Sequence, residues 1–431
     1  MRLWAALAIL LTLSSGRALA EEEYSFDLSE IEEKPLHLGG YVEFRPVLFG
    51  LDTNSALHKL KFYNRGKENI REEYNFRSLL DGSYKKGITE FQALVNTDVK
   101  KSYLGCSEET LLYEGFMTVR PSSTFHFTMG KQTLQWGKGY AWNPVAFLDR
   151  PKDPDDPELA REGFVAASAD YIKSFDGPLK TFSFTPILMP VYDHINDEFG
   201  EMNRLNFAGK TYFLLYDTDI DFMFLAGGSK TNRYGMDFSR NITSNFEMHG
   251  ELAFINNNKK RFINSNGTVF NKKYDATSYL LGLRYLTESD TTYIFEYFHD
   301  ATGFAESEMT DYFSFIDQGY DTYLTSDDDS LLKKASNAAG ENYNRKNPMR
   351  DYLYLRASQK EPFDILYFTP SLTGIYNIND KSFSVGPELS YTGIENLELR
   401  LKTIFLVGDS YTEFGEKQNN YRIELRVRYY F

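Results

Sequence analysis

Apolar and polar residues alternate one by one through segment after segment of this chain. The last eleven residues show the pattern in its purest form. Tyr421, Ile423, Leu425, Val427, Tyr429 and Phe431 share one parity, and Arg422, Glu424, Arg426, Arg428 and Tyr430 share the other. Successive side chains of a strand point to opposite faces, so this segment presents one greasy face and one charged face. Its length matches a tilted strand that crosses a hydrocarbon layer. Seventeen further segments read the same way: 36–48, 70–82, 88–98, 110–120, 123–132, 163–173, 179–188, 204–215, 218–228, 233–241, 245–256, 276–286, 291–300, 351–359, 363–375, 382–392 and 395–407, before 421–431. The links that follow even-numbered segments are short and built from turn residues, such as Asp176-Gly177-Pro178, Glu288-Ser289-Asp290 and Glu361-Pro362. The links that follow odd-numbered segments are mostly long: 49–69, 99–109, 133–162, 189–203, 257–275, 301–350 and 408–420. Two exceptions, 229–232 and 376–381, are short. An all-β fold follows: a transmembrane antiparallel up-and-down β-barrel of about 18 strands, short turns on one side and long loops on the other. A slip in the count gives 16 or 20. Closure lets every backbone group find a partner inside hydrocarbon.

The two ends of the chain point the same way. Met1-Arg2 is basic, residues 3–13 are apolar, and Ala18-Leu19-Ala20 forms a small-residue cleavage site. Residues 1–20 are therefore expected to be a secretory signal peptide, cleaved after Ala20. Glu21 stands where a lipoprotein needs Cys. Residues 21–35 read as an acidic periplasmic leader, and 36–431 as the barrel without an internal boundary. The ending on Tyr429 and Phe431 resembles the C-terminal signature of bacterial outer-membrane β-barrels, in which a terminal Phe closes the last strand and is read by the barrel-assembly machinery. The resemblance implies the outer membrane of a Gram-negative bacterium. It also implies periplasmic chaperones and the assembly machinery as partners, lipid and lipopolysaccharide as surroundings, and leaves a homotrimer open.

Composition narrows the function. A net charge of −14 argues against a nucleic-acid partner. Aromatic residues at 16% fit the girdles of a barrel. The single Cys106 makes no internal disulfide and is expected in a loop. The histidines (His37, His58, His126, His194, His249 and His299) sit in no recognised catalytic motif. His194 reads as a solvated loop residue and His249 as a lumen residue. No enzyme activity, cofactor or metal is expected. Asp153, Asp155, Asp156 and Glu158 could offer oxygen ligands to Ca²⁺, but the spacing is not that of an EF-hand.

The stretch with most chemistry is the link 133–162, the third long loop. Trp136, Trp142, Gly137, Gly139, Pro144, Pro151, Pro154 and Pro157 predict a compact, fixed conformation. Its charges alternate: Lys138, Asp149, Arg150, Lys152, Asp153, Asp155, Asp156, Glu158 and Arg161. Gly130-Lys131-Gln132, Trp136-Gly137 and Asn143-Pro144 resemble a loosely defined group of porin-like barrels of uncharacterised substrate. In general porins the third loop folds into the lumen and narrows it. The resemblance thus implies a constriction loop, where charged rings set ion preference. Alternation places the charged faces in the lumen. Arg45, Arg71, Arg77, Arg400, Lys402, Arg422, Arg426 and Arg428 then form a basic wall, opposite an acidic wall of Asp219, Asp221, Glu247, Glu251 and Glu296. Either the walls set up a transverse field, or local carboxylates neutralise the arginines. The functional expectation is a porin that passes small hydrophilic solutes or ions. The alternative is a non-conducting surface or structural protein whose lumen is plugged by loops.

Overall fold

The computed structural model describes residues 35–66 and 68–431. The signal peptide and nearly all of the acidic leader fall outside the described residues. Eighteen antiparallel strands follow in order: β1 (Leu36–Leu51), β2 (Ile70–Lys86), β3 (Thr89–Ser102), β4 (Gly105–Val119), β5 (Phe125–Gln132), β6 (Phe164–Ser174), β7 (Leu179–Val191), β8 (Arg204–Leu215), β9 (Thr218–Ala226), β10 (Arg233–Thr243), β11 (Phe246–Ile263), β12 (Val269–Leu286), β13 (Thr291–His299), β14 (Asp351–Gln359), β15 (Phe368–Asn377), β16 (Phe383–Ile394), β17 (Leu397–Val407) and β18 (Asn419–Tyr430). Every strand pairs with its sequence neighbours, and β1 pairs with both β2 and β18, so the sheet closes on itself. The expected count of 18 is the observed count. At the seam, the Gly40 amide donates to the Phe431 carbonyl at 3.2 Å, and the Phe431 amide donates to the Gly40 carbonyl at 3.1 Å.

Alternation sorts the side chains as the pattern requires. Phe76, Leu80, Phe127, Leu281, Phe295 and Leu401 stand exposed on the outer surface. Residues of the other parity, among them Glu43, Glu251, Glu296 and Arg426, are buried inside the ring. In water such an apolar belt would be costly, whereas lipid covers it without loss. Among the described residues no helix is long and apolar enough to cross a membrane.

Two long links turn out to be tight hairpins. β3 and β4 run on until only Tyr103 and Leu104 join them, and β11 and β12 are joined by 264–268. Their upper parts carry Lys100, Lys101, Glu108, Glu109, Lys259, Lys260, Lys272 and Lys273, polar on both faces. These parts rise beyond the apolar belt, where the outer face no longer meets lipid and one face of β11 packs on the loop helices, with Lys260 and Ile263 buried, so the alternation of the belt has no reason to persist. Cys106, expected in a loop, lies exposed on β4.

Two other long loops are helical. Link 52–69 carries α1 (Ala56–Phe62), whose first turn is capped by Ser55 accepting from the His58 amide at 3.3 Å. Link 300–350 carries α2 (Glu306–Ser326) and α3 (Ser330–Tyr343), with non-helical backbone at Gly340. Met309, Tyr312, Phe313 and Ile316 recur at helical spacing and are buried. They join Phe304, Tyr343, Phe414 and Trp142 in an apolar core over the long-loop end of the barrel. Phe304 and Tyr312 both stack on Tyr343 with ring centroids 4.0 Å apart.

Candidate functional site

The 133–162 loop leaves β5 and enters the lumen. Its first turn closes on Asp149, whose carboxylate accepts from the amides of Leu134 (2.8 Å), Gln135 (3.1 Å) and Trp136 (3.0 Å). Asp149 is thus a buried brace of the loop. The chain next meets Glu251 on β11. Glu251 accepts from the amides of Lys138 (2.7 Å), Gly139 (2.6 Å) and Val145 (3.3 Å) and from the Asn143 side chain (2.8 Å). Gly137 makes this approach possible: its φ is +97°, and a Cβ there would lie 2.7 Å from the Glu251 carboxylate. Glu296 on β13 takes the next two amides, Tyr140 and Ala141 (2.9 Å), and is steadied by His249 Nε2 at 3.0 Å. Lys138 reaches Asp221 on β9 at 3.0 Å.

The loop then crosses to the basic wall. Asp155 pairs with Arg422 at 3.2 Å, and the Lys402 ammonium donates to its backbone carbonyl. Asp156 pairs with Arg426 at 2.6 Å and with Arg400 at 3.8 Å. Asp153 pairs with Lys346, from the link after α3, at 3.0 Å. Glu158 accepts from the Tyr140 hydroxyl at 3.3 Å. On the return, Arg150 holds Glu162 (2.6 Å) and Glu198 (2.9 Å), Arg161 donates to the Arg150 carbonyl at 2.5 Å, and Lys131 pairs with Glu162.

Only part of each wall meets the loop. Glu251, Glu296 and Asp221 do; Asp219 accepts from Tyr212, and Glu247 accepts from Ser239 at 3.1 Å. Arg400, Lys402, Arg422 and Arg426 do; Arg428 and Arg45 pair with Glu43 at 2.7 and 3.9 Å, Arg77 with Asp98 at 2.7 Å, and Arg71 with Glu68 at 2.5 Å. Tyr429 faces outward between Val42 and Leu397.

The loop's charges are set by these partners. Burial disfavours ionisation of Asp155, yet Arg422, Lys346, Lys402 and Lys417 outweigh it and hold the carboxyl below the usual range. Burial opposes the charge of Asp156 too, and Arg426, with Arg400 and Lys402 behind it, again prevails. Lys152 is shifted the other way: burial lowers its pKa, Glu251 offsets this only in part, and nearby Arg161 adds to the lowering. Its ammonium donates to the Gly139 carbonyl at 2.6 Å.

Two cavities flank the loop. One, of about 680 Å³, lies toward the long-loop end, between the loop, the upper parts of β10 to β13 and the segment after α3. The other, of about 400 Å³, lies between the loop and the β3–β4 wall at Leu94 and Glu114. Both are walled by Asn143, Lys152 and Arg161.

Sequence reasoning missed Lys346, and it named Asn143 and Trp142 without their contacts: Asn143 donates to Glu251, and the Trp142 indole stacks on Phe298 at 5.2 Å and donates to Asn347 at 3.3 Å. The helical spacing in α2 was a signal for the cap. Nothing in the residue order pairs Trp142 with Asn347.

A closed barrel of eighteen antiparallel strands, girdled by apolar side chains and crossed inside by its third long loop, has the architecture of an outer-membrane porin. Among solved structures, the BenF-like porin from Pseudomonas fluorescens Pf-5 superposes with a TM-score of 0.50 at 10% identity, over 92% of this chain and 98% of that one. OprD from Pseudomonas aeruginosa gives 0.49 at 10% identity, over 91% and 94%. A triple mutant of the Rhodopseudomonas blastica porin gives 0.45 at 8% identity, over 92% and 100%. No family model and no curated protein matches the chain.

Proposed function

We propose that this chain is an outer-membrane channel for small hydrophilic solutes, with the 133–162 loop as its constriction. The observation that carries the reading is the loop's fastening to both sides of the lumen. Carboxylates of β11 and β13 hold its first half and arginines of β18 hold its second, with a cavity on each side. A barrel of this circumference keeps an aqueous space unless loops fill it. The reading includes export through a signal peptide cleaved after Ala20, and no catalytic role is proposed. The helical cap favours a second reading, a non-conducting surface protein, because α2 and α3 build an apolar core over the mouth. Purified protein in a planar bilayer decides between them. Discrete single-channel steps are expected, and a folded, inserted protein without steps refutes the channel.

A further inference from the structure

The basic wall that the sequence suggests is largely paired with carboxylates. The positive charge exposed to a solute lies elsewhere, in the loop itself and above it. The upper cavity is lined by seven arginines and lysines and by three aspartates. Asp149 is turned into the loop's own amides, Asp153 is paired with Lys346, and Asp300 lies 3.4 Å from Arg345. Arg150 is paired with Glu162 and Glu198. Lys152, Arg161 and Arg233 then contribute to the positive sign of this cavity. Lys152 and Arg161 wall the lower cavity as well. Their polar contacts are backbone carbonyls, Gly139 for Lys152 and Arg150 for Arg161. Among the described residues no carboxylate comes within ion-pair distance of either. A carbonyl orients a cation without cancelling its charge. The lower cavity also carries the carboxylates of Glu114 and Glu158, bonded to Thr133 and Tyr140, so the excess of positive charge lies on the upper side of the pair.

We propose that solutes pass from one cavity to the other beside Lys152 and Arg161, and that this gate selects small anions such as chloride, in a protein whose overall charge is strongly negative. The inference rests on the channel reading. A partly buried pair of like charges, screened less than surface charges, raises the local anion concentration and repels cations. Bulk charge does not decide the preference, because residues beyond about 10 Å are screened by salt.

The test is the reversal potential of the wild-type channel under a KCl gradient at low ionic strength, repeated with K152Q, R161Q and the double variant. Wild type is expected to prefer chloride over potassium. The double variant should lose roughly three-fold or more of that ratio, with the loss shrinking at high salt. Each variant counts only if its heat-modified gel migration matches wild type, and either single variant decides the matter if the double does not fold. Cation preference in wild type overturns the inference and leaves the channel standing. So does an unchanged ratio in a folded variant. Absence of any conductance overturns both.

Discussion

Replacing Glu251 with Ala tests whether the loop is held in the lumen by buried hydrogen bonds. The carboxylate accepts from three loop amides, Lys138, Gly139 and Val145, and from Asn143. Glu251 is 4% exposed, so alanine leaves these donors without a partner in a site that water barely reaches. A buried donor left unsatisfied costs about 1–3 kcal/mol. Three amides at the low end of that range give about 3 kcal/mol against the docked loop. At 1.4 kcal/mol per factor of ten, the ratio of docked to undocked loop falls by about a hundredfold. The barrel itself should survive, because β11 keeps its backbone ladder to β10 and β12. Hydrogen exchange reads the effect directly: the amides of Lys138, Gly139 and Val145 should exchange about a hundred times faster, while strand amides stay protected. Channel recordings should show noisier and larger steps. E251Q, which keeps one acceptor oxygen, should fall between. Unchanged exchange at those three amides in folded E251A would refute the reasoning, and the loop's position would have to come from its apolar contacts alone.

Neutralising Asp153, Asp155 and Asp156 together to Asn removes the partners of Lys346, Arg422 and Arg426, so reversal potentials should shift further toward anions, most at low salt. Glu413, in the loop before β18, is pushed up to about 7 by burial, against the opposing effects of Lys417 and the Tyr352 hydroxyl. A carboxyl raised in the folded state stabilises it least once ionised. The hold of 408–418 on the cap should therefore weaken as pH rises from about 4.5 to about 7, and E413Q should abolish that dependence in hydrogen exchange. Deleting Phe431 removes both hydrogen bonds to Gly40 and the terminal aromatic, and should lower the yield of heat-modifiable barrel in the outer membrane while export continues. Equal yield would show that the terminal residue is dispensable.

The strands were legible because the cause of their pattern is local. Lipid on one face and water on the other impose a two-residue period wherever a strand crosses the belt, as at 421–431. Where β3, β4, β11 and β12 rise clear of the belt the period vanishes, and the residues read as loop. The cap was half legible: Met309, Tyr312, Phe313 and Ile316 keep helical spacing inside a polar stretch. The docking of the third loop was not legible. Its charges were visible, yet Glu251 and Glu296 bind backbone amides, which carry no mark in the sequence, across separations of more than a hundred residues. Lumen charges that suggested opposed electrostatic walls serve largely as sockets and local ion pairs. The two basic residues left between the cavities, Lys152 and Arg161, were visible only as members of a mixed run.

The same loop bears on the mechanics of the ring. A closed sheet resists stretching around its circumference, because that breaks hydrogen bonds, but it can flatten toward an ellipse at little cost. The 133–162 segment is fastened at the β5–β6 side, at β11 and β13, and at β18. It therefore acts as a tie-rod between distant points of the wall. Flattening along that line must compress the segment, and widening must pull its carboxylates from their arginines. The cross-section is held to one shape by this single segment and its three anchorages, and a thicker or more tightly packed membrane would reach the aperture through it.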